Sequence, residues 1–152
     1  MTVDLSTIAA RKQIANKWAT VHGLDTALVC AVISHESSWN MWAVRYEPLF
    51  FSRYIQPLIN NGTVKTMTEA TMRSSSFGFM QILGQVAREK GFIGQFLTEL
   101  CDPDVGTDYG CRKLQQCVTD HLNDERGALM AYNGGGDPSY PDLVLQFKGI
   151  YA

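Results

Sequence analysis

The chain lacks any apolar run near the roughly 20 residues that a bilayer-spanning helix needs, although 45% of its 152 residues are apolar. It lacks a basic excess as well: 13 Lys and Arg stand against 15 Asp and Glu, for a formal net charge of −2. That excludes the electrostatic footprint of a nucleic-acid binder and a polybasic membrane patch. No nucleic-acid partner and no membrane insertion are therefore expected. Cysteine is scarce, and Cys30, Cys101, Cys111 and Cys117 contain no C-x-x-C pair, so a zinc knot or thiol redox pair finds no support. His35-Glu36 lacks the second histidine of an H-E-x-x-H zinc site, because Trp39 stands where it would fall. No Gly-rich phosphate loop follows a strand, and no Ser–His–Asp arrangement stands out. No metal and no cofactor are expected. Sustained apolar/polar alternation is missing, so strands find little support. Met1 to Val21 carries Asp4, Arg11, Lys12 and Lys17 inside a helical pattern and has no uninterrupted apolar core. It does not read as a signal peptide, and synthesis in the cytoplasm is the expectation. Without such a signal, reduced thiols are the default, with a bridge among Cys101, Cys111 and Cys117 left open.

What is present is helical periodicity. The length fits one domain, residues 1–152, with a real core. Leu5, Ile8, Ala9, Ala15, Trp18 and Ala19 share one side of a first helix over about 6–21, which Gly23 ends. Asp25 is a suitable N-cap for the apolar helix that follows. An aromatic-rich loop spans 37–47, and Pro48 opens a helix that Pro57 should kink or shorten. Asn61-Gly62 marks a turn, and Thr66-Met67-Thr68-Glu69 has capping-box spacing. Arg73 to Gly78 reads as a polar loop and Phe79 to Lys90 as a helix capped by Gly91. A short helix over 92–100 precedes Asp102-Pro103, which starts a long amphipathic helix. Residues 124–132 form another, stopped by Asn133 to Pro138, and the last runs over 141–151. His22 and His121 read as helix-surface residues. The fold class is all-α, with about eight or nine helices around a cleft.

Glu36 stands out. At helical spacing Val29, Val32, Ile33 and Glu36 share one stripe. A carboxyl on an apolar stripe near a helix C-terminus resists ionisation, through burial and through the helix dipole. Such a group suits proton donation near neutral pH. The plain alternative is a glutamate at a frayed helix end, pointing into water. Two further polar groups sit at the edges of apolar helices, in Gly78-Phe79-Met80-Gln81 and in Ala131-Tyr132-Asn133. By default the first is a helix start with Met80 in the core, and the second a helix end with Asn133 as cap. A carboxyl, an amide and a phenol facing one cleft suit a carbohydrate, whose hydroxyls need hydrogen bonds and whose ring faces need apolar surface. Gly78 would let the chain approach a ligand closely.

These three motifs, in this order, resemble the soluble-type lytic transglycosylases, which share the lysozyme-like fold with goose-type lysozymes. Glu36-Ser37 is similar to the family's Glu-Ser, Gly78-Phe79-Met80-Gln81 to its Gly-Leu-Met-Gln, and Ala131-Tyr132-Asn133 to its Ala-Tyr-Asn. Ser76-Phe77 stands where Ser-Tyr is common, and Asp102-Pro103-Asp104-Val105 looks like the family's helix start between the later motifs. The resemblance covers roughly residues 5–150. Met41 departs from the proline that often follows Asn in the first motif, and Phe79 replaces leucine. Ala43 to Pro48 and the Tyr132 to Gly136 ending look most like compact phage and prophage members.

The resemblance implies cleavage of peptidoglycan glycan strands between N-acetylmuramic acid and N-acetylglucosamine. Glu36 would be acid and then base, closing a 1,6-anhydro ring with no water consumed. Gln81 and Met80 would line a sugar subsite, Tyr132 would hydrogen-bond close to Glu36, Asn133 would fix that end of the cleft, and Ser37 and Ser76 would support or contact substrate. Glu47 either holds a water for hydrolysis, as an inverting muramidase needs with carboxyls about 6.5–9.5 Å apart, or caps the Pro48 helix or braces the loop before it. Trp39 is expected in the core, while Trp42 and Tyr46 either stack on sugar rings or pack. The alternatives are a goose-type-lysozyme-like hydrolase of the same bond and a non-catalytic wall-binding or virion structural domain. A monomer is expected. A wall-cutting chain without a leader is expected to reach the periplasm as a holin-released endolysin or with a virion.

Overall fold

The computed structural model describes residues 5–152, and the first four residues of the N-terminal stretch lie outside them. The axis of the fold is α2 (Thr26–Ser37). The Asp25 carboxylate accepts the Ala27 N–H at 2.9 Å, which caps the helix as its spacing predicts. Leu28 to Ser34 are buried without interruption, as an all-round apolar run requires. Helix α9 (Tyr140–Tyr151) packs along α2, and α1 (Ile8–Val21) packs on α2 and on α7 (Pro103–Asp120). Helix α8 (Glu125–Asn133) bridges α7 and α9. The main core joins all five through residues such as Ala19, Val32, Leu114, Leu129 and Val144.

Several boundaries differ from expectation. In α1 the core takes Ile14, Ala15 and Ala19, while Ile8 and Ala9 are exposed. His22 is not a surface residue. Its ring nitrogen lies 2.7 Å from the Asp108 carboxylate, which ties the end of α1 to α7. Burial pushes the Asp108 carboxyl up, but hydrogen bonds from Arg112 and His22 outweigh it and hold it low. The 92–100 region is a short 3-10 helix, Leu97–Cys101. All four cysteines are free and buried.

The largest difference is a small antiparallel sheet. Strands β1 (Val44–Tyr46), β2 (Ser75–Phe77) and β3 (Ile82–Leu83) lie in the order β1-β2-β3, with Arg45 opposite Ser76 and Ser76 opposite Leu83. Two or three residues cannot display an alternation, so the pattern was invisible in the sequence. The serine run is buried rather than a solvated loop. Ser74 and Ser75 return their hydroxyls to the carbonyls of Ala70 and Thr71. The expected helix from Phe79 begins only at α6 (Gly84–Glu89). Positive φ at Gly78 and Gln81 makes a turn there first.

Between β1 and β2 the chain makes a helical excursion. Helix α3 (Pro48–Phe50), a π-type turn Phe51–Ile55 and α4 (Gln56–Asn60) run on continuously. Pro57 neither ends nor shortens this run. The π-type turn just before it replaces the tight spacing in which a proline ring meets the carbonyl four residues back. Thr66 caps α5 (Met67–Arg73) by accepting the Glu69 N–H, but the Glu69 carboxylate turns to Arg73 and Arg88 instead of completing the box. Ile55, Val64 and Ala70 form a separate small core under this excursion.

Candidate active site

Glu36 occupies the last turn of α2, just before Ser38 and Trp39 take left-handed backbone conformations that end the helix. That turn sends Trp39 into the core, where its Nε1–H reaches Ser34 Oγ and Tyr151 Oη, each at 2.9 Å. Glu36 is left at the wall of a cleft of about 800 Å³. Burial raises its carboxyl above the ordinary range, against the opposing pull of a hydrogen bond from Tyr140 and of the charges on His35, Lys113 and Arg45. The Tyr140 hydroxyl donates to Glu36 Oε1 at 2.6 Å. Tyr140 is buried and its phenol is held protonated well above the usual range, with burial first among the causes. Its ring meets the His35 ring edge-on at 4.9 Å. With Oε1 so occupied, Oε2 is the oxygen from which a proton can be transferred.

The motif residues divide into two groups. Gln81, Ser76, Tyr132 and Asn133 line the same cleft as Glu36. Gln81 donates to the carbonyls of Ala43 and Gly78, at 2.9 and 3.0 Å. The Tyr132 hydroxyl, expected beside Glu36, donates instead to the Met80 carbonyl at 2.7 Å. Asn133 carries a buried Nδ2 with no hydrogen-bond partner, a donor left over at the cleft. Ser37 and Met80 lie outside the cleft lining. Ser37 Oγ reaches the Phe79 carbonyl at 2.8 Å and so ties the end of α2 to the 78–81 turn. Met80 is fully buried against Cys111. Gly78 is required by packing rather than by a ligand: a Cβ there would stand 2.6 Å from the Leu100 carbonyl oxygen, at a φ of +71°.

Glu47 does line the cleft, and its Oε1 accepts from Arg45 Nε at 2.5 Å. Its side chain does not cap the Pro48 helix. Trp42, 70% exposed, and Tyr46 are not part of the lining. The aromatic surface inside the cleft comes from Phe50 and Tyr54 instead, besides the two tyrosines of α8 and α9.

Sequence reasoning missed Tyr140, Lys113 and Arg45. Tyr140 is hidden because the sequence places the helix start at Pro141, leaving its neighbour outside. Lys113 reads as one more cation on an amphipathic helix. Its Nζ in fact donates to the Tyr132 carbonyl at 2.6 Å and lies 4.3 Å from that ring's centroid. Burial lowers its pKa. The carbonyl it meets is in the last turn of α8, where a cation is favoured. A second cavity, about 740 Å³, is lined by α1, the start of α2 and the C-terminal residues Ile150 to Ala152. Its acidic residue, Asp25, is exposed and committed to capping α2.

The arrangement offers a carboxyl whose pKa burial raises, a rigid phenol behind it, an unsatisfied amide donor and aromatic surface in one groove. Compared with known proteins, the chain matches the family model described as the transglycosylase SLT domain over residues 13–139. No curated protein and no solved structure matches it.

Proposed function

Since the chain belongs to the transglycosylase SLT domain family, whose members are lytic transglycosylases acting on peptidoglycan, we propose that it cleaves the β-1,4 bond from N-acetylmuramic acid to N-acetylglucosamine with a 1,6-anhydro product. Glu36 protonates the glycosidic oxygen, the bond to C1 breaks, and the N-acetylglucosamine side leaves with a free 4-hydroxyl. The Glu36 carboxylate then takes the proton of the muramic C6 hydroxyl, whose oxygen closes onto C1. The acid is regenerated and no water is consumed. One carboxyl thus suffices, where ordinary glycosidases use two. The observation that carries this reading is the raised carboxyl of Glu36 in a cleft, with Tyr140 fixing one of its oxygens. The substrate's occurrence sets the place of action at the bacterial wall.

Asn133 Nδ2 and Gln81 are suited to the hydroxyl and acetamido groups of the glycan. A second reading keeps the bond and substitutes water, as in a goose-type-lysozyme-like muramidase. What favours it is Glu47, a second carboxylate in the same cleft held by Arg45. Mass spectrometry of digested purified wall separates the two. Muropeptides ending in 1,6-anhydromuramic acid are the expected result. Reducing ends, lost on Glu47→Gln, would replace the first reading by the second.

A further inference from the structure

The excursion between β1 and β2 has two faces. Phe51, Ile55, Leu58 and Ile59 recur at helical spacing and join the small core around Val64 and Ala70, and the half-buried Phe50 packs on the edge of that core as well. Phe50 and Tyr54, four residues apart, line the cleft that holds Glu36. Their ring centroids are 4.9 Å apart with planes tilted at 42°, so the rings do not lie flat on each other. The Arg53 guanidinium lies over the Tyr54 ring, 5.3 Å from its centroid. Tyr54 nonetheless remains 51% exposed. The turn that carries Tyr54 is π-type, a conformation rare in helices and concentrated at functional sites.

We propose that Phe50 and Tyr54 form a sugar-stacking wall of the cleft, on which one pyranose ring of the glycan strand lies. This rests on the glycan reading of the site above. An aromatic face offers apolar contact to the C–H face of a sugar ring, while the ring's hydroxyls stay free for polar partners. The polar partners are at hand in the same groove, in Arg45, Glu47 and Ser76. The exposed aromatic area is continuous with the groove that holds the acid, which fits an occupant spanning both. The small core beneath gives the wall a rigid mount, so little ordering is needed on binding.

The test uses the full chain carrying Glu36→Gln, which binds without cutting. Its affinity for peptide-free glycan strands from purified wall is measured by calorimetry, alone and with Tyr54→Ala, Tyr54→Leu or Tyr54→Phe added. Tyr54→Ala and Tyr54→Leu should weaken binding roughly three- to tenfold, with Tyr54→Phe close to the parent and the melting temperature unchanged. In the otherwise unaltered enzyme, Tyr54→Ala should raise KM and leave kcat nearly as it was. Equal binding by Tyr54→Ala overturns the proposal, as does a loss that Tyr54→Phe shares in full, because the ring would then not be the contact. A Glu36→Gln parent that binds no glycan, paired with an unaltered enzyme that clears no wall, overturns the glycan reading itself and this proposal with it.

Discussion

Two glutamates in this molecule are both partly withdrawn from water, and their carboxyls are shifted in opposite directions. Glu69, in the first turn of α5, is gripped by Arg73 at 2.9 Å and by Arg88 at 2.8 and 3.2 Å. Burial pushes its carboxyl up, but the two guanidiniums outweigh that and hold it below the usual range. Glu36 is opposed by one neutral phenol within hydrogen-bond reach and by the more distant charges of His35, Lys113 and Arg45, and burial prevails. The difference lies in how close the cations come, since a charge-assisted hydrogen bond does far more for a carboxylate than a charge across a groove. Glu69 fastens α5 to α6. Glu36 gives up its proton less readily than an ordinary glutamate.

The comparison can be broken first at Glu36. Glu36→Gln removes the proton donor, and clearing of purified wall should fall by at least about 10²–10⁴-fold. The same change should raise the melting temperature at neutral pH. A carboxyl whose native pKa is raised costs stability once pH exceeds its unfolded value, and the amide removes that cost while still accepting from Tyr140. Tyr140→Phe comes next. It takes away the hydrogen bond that fixes Glu36 Oε1, so kcat should drop roughly 10- to 100-fold. Because that bond opposes the raised pKa, the alkaline limb of the pH–rate profile should move to higher pH.

Glu69→Gln should leave the chemistry alone and lower stability by about 1–3 kcal/mol, read by thermal melting. Its pH signature is the reverse of that at Glu36. A depressed carboxyl contributes stability above its unfolded pKa, and that stability is lost as pH falls through the lower native value. The unaltered protein should therefore lose stability on acidification, and the Gln variant should lose less of it. Lys113→Met should give the smallest shift. It removes a cation that favours the Glu36 carboxylate, so the alkaline limb moves the same way as for Tyr140→Phe but by less.

The helical frame was legible because its signals are long or chemically specific. Asp25 and Asp102 cap helices in the structure as their positions predict, while Asp124, expected as the first residue of its helix, stands one place earlier as the cap. The position of Glu36 followed from its stripe on α2. What was hidden depends on contacts distant in sequence. Tyr140 meets Glu36 across 104 residues, and nothing local in Ser139-Tyr140-Pro141 announces it. The buried Ser74 and Ser75 at the start of β2 imitate a loop because their hydroxyls are satisfied by the preceding helix. Trp42 and Phe50 were equally aromatic on paper, and the fold of the excursion decides which of them faces the groove.

The central claim is that Glu36 holds its proton beyond the range of an ordinary glutamate while Glu69 gives its proton up early. The direct measurement is a titration of both side-chain carboxyls by 13C NMR, assigned with Glu36→Gln and Glu69→Gln. The account predicts a midpoint for Glu36 above the ordinary value of 4.5 and one for Glu69 below it. A Glu36 midpoint at or below that value would contradict it.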